Sequence, residues 1–162
     1  MEPEVRIVDR YFQECKNWFT TTNRRIGHNK EIDILAFDPE NNQVYHVEVC
    51  ILFRPLRLKE TIHRSSNNRS RDGLDYFLDN KFDHPAVRKG ISEILGRDVK
   101  LKRMLIVSKM EEQEKQKIME IAKNRNLEVI PISRFIHKLQ EAKSGSRDDV
   151  VRTIELVSKY SS

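Results

Sequence analysis

The sequence predicts an α/β fold with a mixed central β-sheet flanked by helices. Three observations predict it. Apolar residues at Val5, Val8, Phe12, Cys15 and Phe19 recur at spacings of three and four, the stripe of an amphipathic helix. Two β-rich runs, EIDILAFD and QVYHVEVCIL, face each other across the reversal DPENN. Beyond residue 103, short apolar runs alternate with helical periods, as β-α-β crossovers do.

Each element has its own signal. The first helix spans Glu4 to Phe19, and the Thr- and aromatic-rich WFTTTNRR is a first strand, broken by Gly27. In EIDILAFD, Ile32, Ile34 and Ala36 alternate with Glu31, Asp33 and Leu35. Along the next strand Val47, Val49 and Ile51 share one face and His46, Glu48 and Cys50 the other. Residues 54–82 read as a basic, mobile insertion, most plainly at SSNNRSRDG, with short helical pieces at its flanks. Val87, Ile91, Ile94 and Leu95 mark a helix from near Asp83, with Pro85 in its first turn and Gly96 at its end. RMLIVS is a buried strand, EEQEKQKIMEIAKNRN a helix with acids first and bases last, and LEVIPI another strand. SRFIHKLQEA is a helix capped by Ser133, and a C-terminal helix near 146–160 opens with Ser146 and Asp149 placed as a capping box. The order is α-β-β-β-α-β-α-β-α with one more helix.

The 162 residues suit one domain, 1–162, with a real core. Charged residues make up 34% and no long apolar run occurs, so no membrane partner is expected. The early acids leave no secretory signal core, and two cysteines without CxxC spacing suit a reducing cytoplasm. Net charge is +5, and Arg54, Arg57, Lys59, Arg64, Arg69 and Arg71 against Glu60 account for all of it. That local surplus points to nucleic acid, DNA first, with the solvated loop as the plain alternative. Arg24 and Arg25 could add phosphate contacts. Trp18, Phe19, Met104, Met110 and Met119 read as packing, and His28 has no zinc-ligand spacing. No Gly-rich phosphate loop, GxSxG elbow or HExxH helix exists.

The chemistry concentrates in Asp33 and Glu48, with fourteen residues between them, on strands that pair. Neighbouring strands can set two such carboxylates side by side on one face, and Mg²⁺ accepts one or two carboxylates plus substrate oxygens. The segments IGHNKEIDILAFD and QVYHVEVC resemble the PD-(D/E)xK nuclease superfamily, the restriction-endonuclease-like fold that includes archaeal Holliday junction resolvases. A basic stretch, a glycine, an acid-Ile-Asp-Ile strand and a strand ending in Glu-Val-Lys make up that pattern. The resemblance covers roughly residues 4–140. It implies a restriction-endonuclease-like core, Mg²⁺ or Mn²⁺ on Asp33 and Glu48, DNA phosphodiester hydrolysis and a homodimer. It also implies a further carboxylate from the first helix, for which Glu4 and Glu14 are the candidates.

Cys50 departs from the pattern, because a lysine belongs two residues past the glutamate. A neutral thiol carries no positive charge and is a poor ligand for a hard cation. Four explanations stand: a catalytically degenerate DNA-binding or protein-interaction module, a basic group from elsewhere (Lys59, Arg54 or Lys30), another metal held by His46, Glu48 and Cys50, or a false resemblance.

Overall fold

The computed structural model describes residues 2–27, 29–52, 54–60 and 71–142. The expected C-terminal helix, His28, Arg64 and Arg69 lie outside them.

Helix α1 (Pro3–Lys16) starts with Pro3, carries Glu4 in its first turn and Lys16 in its last, and is stopped by Asn17 at φ 55°. It buries Val5, Ile7, Val8 and Phe12. Phe19 does not continue this helix; it opens strand β1 (Phe19–Ile26), within the WFTTTNRR strand, and with 69% of its surface exposed it is not core packing. Strand β2 (Lys30–Asp38) runs antiparallel to β1 and to β3 (Gln43–Cys50). The β2–β3 reversal forms because Asp38 Oδ1 accepts the N–H groups of Glu40 and Asn41, and Asn42 takes φ 49°.

The chain then crosses to β4 (Leu101–Val107), which lies parallel to β3, and to β5 (Leu127–Pro131), parallel to β4. The sheet is five-stranded and mixed, in the order β1-β2-β3-β4-β5. The first crossover holds α2 (Leu74–Phe77), a π-helical turn (Leu78–Phe82) and α3 (Pro85–Leu95). Its flanks are not surface insertion: Leu56, Leu74, Phe77, Leu78 and Phe82 are all buried. Helix α4 (Lys115–Asn124) forms the second crossover, and α5 (Ile132–Glu141) returns to α1. Pro131, not Ser133, stands at the α5 N-cap, and no side chain caps that end.

The helices make two layers. Val47, Val49, Ile34 and Ile106 pack with α1 and α5 on one side. Leu105, Val107 and Val129 pack with α2, the π turn and α4 on the other, where Ile32 and Leu35 meet Val87 and Ile91 of α3. Gly90 lets α3 approach β1 closely, since a Cβ there would stand 2.6 Å from the Ile26 side chain.

Candidate functional site

Antiparallel pairing of β2 with β3 ends at Ile34 and Val47, just before Asp33 and Glu48 would meet. There the Asp33 side chain takes over from the backbone ladder: its Oδ2 accepts the Val49 N–H at 2.8 Å. Asn23, which lies across from Asp33 on the β1 side, adopts φ 50° and interrupts the pairing there as well. Asp33 therefore sits in a gap between strands with its carboxyl held by one of them.

Glu48 is 1% exposed and its two oxygens face different partners. Oε1 lies 2.8 Å from Nε2 of His46, two residues back on the same strand face. His46 is equally buried, and its ring meets Phe82 with centroids 4.8 Å apart. Oε2 lies 2.7 Å from Nζ of Lys81, an ion pair without an aligned hydrogen bond. Lys81 Nζ also donates to the Glu31 carbonyl at 3.3 Å. The lysine reaches the strands because the π turn widens the helix by a residue and aims position 81 at the sheet, while Leu78 and Phe82 anchor it in the core.

The electrostatics follow from this crowding. Burial, with the Glu48 carboxylate beside it, pushes Asp33 up to about 7, against the pull of Lys81 and of the Val49 N–H. Burial also pushes Glu48 up, but His46 and Lys81 outweigh it and hold that carboxyl below its ordinary range. Burial draws Lys81 down, and Glu48 and Asp33 more than restore it, so Lys81 stays an ammonium ion. Burial and then Asp33 push the Cys50 thiol up to about 12, which leaves it neutral and a weak nucleophile.

Asp33, Glu48 and Cys50 are thus brought to one place. The cation beside them comes from Lys81, a residue that the sequence reading does not name, rather than from Lys59, Arg54 or Lys30. Position 81 lies 33 residues beyond Glu48 in an irregular stretch, and no spacing rule connects the two. Neither helix carboxylate considered is the one at the site: Glu14 pairs with Arg10 at 2.5 Å, and the N-terminal carboxylate felt at both Asp33 and Cys50 is Glu2. Arg24, Arg25, Arg54, Arg57, Lys59 and Arg71 are exposed, and Arg71 lies over the Tyr76 ring at 5.8 Å. Met104 and Met110 are buried as read, but Met119 is 43% exposed.

Among the described residues no group of three or more His, Cys, Asp or Glu side chains is arranged to hold a metal ion. Two carboxylates in a gap nevertheless match the small protein contribution that Mg²⁺ takes, and the buried Glu48 Oε2 keeps acceptor capacity beyond its ion pair. No helix among the described residues is long and apolar enough to cross a membrane. The chain matches no family model, no curated protein and no solved structure.

Proposed function

We propose that the chain has a restriction-endonuclease-like core and hydrolyses phosphodiester bonds of nucleic acid, DNA first, with Lys81 standing in for the lysine that Cys50 displaces. The observation that carries this reading is the 2.7 Å approach of Lys81 Nζ to Glu48 Oε2 from an element outside the strand pair. An ammonium ion is thereby supplied beside two carboxylates on one sheet face.

Asp33 and Glu48 would hold Mg²⁺ or Mn²⁺, which when bound polarises the phosphate and lowers the pKa of a coordinated water. The protein's own groups divide the remaining work. Lys81 keeps its proton, so it donates to the negative charge that grows on the phosphate oxygens. His46 holds Glu48 in one orientation from behind. Asp33, raised to about 7 in the metal-free site, must give up its proton for the cation to bind. The exposed arginines and lysines of β1 and of residues 54–60 supply backbone grip without reading bases.

A second reading has an observation of its own. Both Glu48 oxygens face cation or donor partners, as in a closed structural network, which suits a binding module without catalysis. One assay separates the two. Plasmid and branched DNA are incubated with Mg²⁺ or Mn²⁺ and wild type, Asp33→Ala or Lys81→Met. Metal-dependent cleavage that both substitutions abolish supports hydrolysis. A salt-sensitive gel shift without cleavage supports the binding module and sinks the enzyme.

A further inference from the structure

A second charged cluster lies across the π turn from the carboxylates. Asp83, directly after that turn, receives three guanidinium groups. Its Oδ1 accepts from Arg88 at 2.9 Å and from Arg103 at 2.7 Å, and its Oδ2 accepts from Arg125. Arg103 also donates to the Arg125 carbonyl and lies over the Phe82 ring at 5.7 Å. One carboxylate neutralises one of the three cations, so the cluster keeps a surplus of two positive charges.

Arg103 is the least exposed of the three, at 15%. Arg88 and Arg125 are a different matter, because their side chains are 67% and 48% exposed. Each places one donor on Asp83 and has four more in a planar fork suited to phosphate. The cluster borders a groove of about 1260 Å³ between α3 and α4, lined by Arg88 and Arg103 among others. Three lysines of that groove, Lys100, Lys102 and Lys123, offset its three acids, Asp98, Glu120 and Glu128, which leaves the arginine surplus uncompensated. The floor is apolar: Ile91, Leu101, Leu127 and Val129 line it beside the exposed Met119. A surplus of positive charge beside an apolar floor suits a ligand with a phosphate and a flat, weakly polar body.

We infer that the α3–α4 groove is a nucleotide site, in which Arg88 and Arg103, which line it, hold the phosphate with Arg125 joined to them through Asp83, and the floor beside Met119 takes the base. His46, the partner of Glu48, also lines this groove, but binding there does not depend on hydrolysis at Asp33 and Glu48. The nucleotide is either free or the phosphorylated end of a strand.

Calorimetric titration in low salt without metal tests this, with inorganic phosphate, AMP, and a short oligonucleotide with and without a 5′-phosphate. The wild type is expected to take AMP or the 5′-phosphorylated strand more tightly than inorganic phosphate. The member of the pair that binds names the source. The double variant Arg88→Ala/Arg125→Ala should weaken that binding at least about tenfold, as loss of charge-assisted hydrogen bonds does. Asp33→Ala should leave it unchanged, so failure at the carboxylates and failure in the groove are told apart. Arg88→Ala alone, at an exposed helix position, serves if the double variant does not fold. Equal affinity for phosphate and AMP, equal affinity of wild type and arginine variants, or no binding of any probe would each overturn the assignment.

Discussion

The two faces of strand β3 share one backbone and differ in everything else. Val47 and Val49 enter an apolar layer with α1 and α5, where Trp18 stacks between Phe12 and Tyr45 at 5.0 and 4.5 Å. His46, Glu48 and Cys50 point the other way, into a layer that also holds Asp33 and Lys81. On the first face each side chain is satisfied by contact alone, and stability grows with the area buried. On the second, Glu48 is as deeply buried as the valines but needs a donor and a cation to be tolerated. A buried charge demands named partners, whereas a buried methyl accepts any neighbour of the right size.

Substitutions on the two faces should therefore separate chemistry from stability. The largest expected effect is Lys81→Met, which should cut metal-dependent cleavage by about 10²–10³-fold, the range for losing one preorganised donor to developing charge. It also leaves Glu48 charged without its cation, at a cost of about 2 kcal/mol in urea unfolding, less than a fully buried pair because Lys81 is partly open to water. Wild-type cleavage in this variant would break the contrast. Ile106→Ala on the apolar face should cost about 3 kcal/mol through the cavity it leaves, with cleavage per folded molecule unchanged.

Asp33→Asn sharpens the contrast because stability and activity should move in opposite directions. The Asp33 carboxyl is raised to about 7, so the folded state holds its proton more tightly than the unfolded chain does. Its stabilising contribution is complete below the unfolded pKa near 3.8 and is lost as pH rises through 7. Asparagine keeps an acceptor for the Val49 N–H and never ionises. Asp33→Asn should therefore be more stable than wild type at pH 8 by about 1–2 kcal/mol, a partial share of a shift worth 1.36 kcal/mol per unit. Thermal unfolding across pH 5–9 tests it, and parallel wild-type and variant curves would contradict the assignment. By the same logic, Mn²⁺ affinity of the wild type should rise as pH passes 7, since the cation displaces the Asp33 proton. The smallest effect belongs to Cys50→Ser, where a neutral group replaces a neutral group. Cys50→Lys should give no gain in cleavage, because Lys81 already supplies the ammonium ion. A marked gain would show that Lys81 does not fill that role.

Much of this molecule follows from local rules. Alternation with period two assigns Val47 and Val49 to one face and His46, Glu48 and Cys50 to the other, because that is a property of an extended chain wherever it lies. The Asp38 turn, the Pro85 start and the Gly96 stop are legible for the same reason, each depending on a few adjacent residues. The limits of such rules show at Phe19, where a helical spacing continues past the helix end, and at Ser133, a good capping residue that the chain does not use. Only tertiary structure could decide what meets Glu48. Lys81 arrives because Phe77, Leu78 and Phe82 pack a π turn against the sheet, and Arg88, Arg103 and Arg125 meet at Asp83 because α3, β4 and the end of α4 converge there. Those meetings depend on how a crossover closes over long sequence separations, and that is set by the packing of the whole layer rather than by the residues that meet.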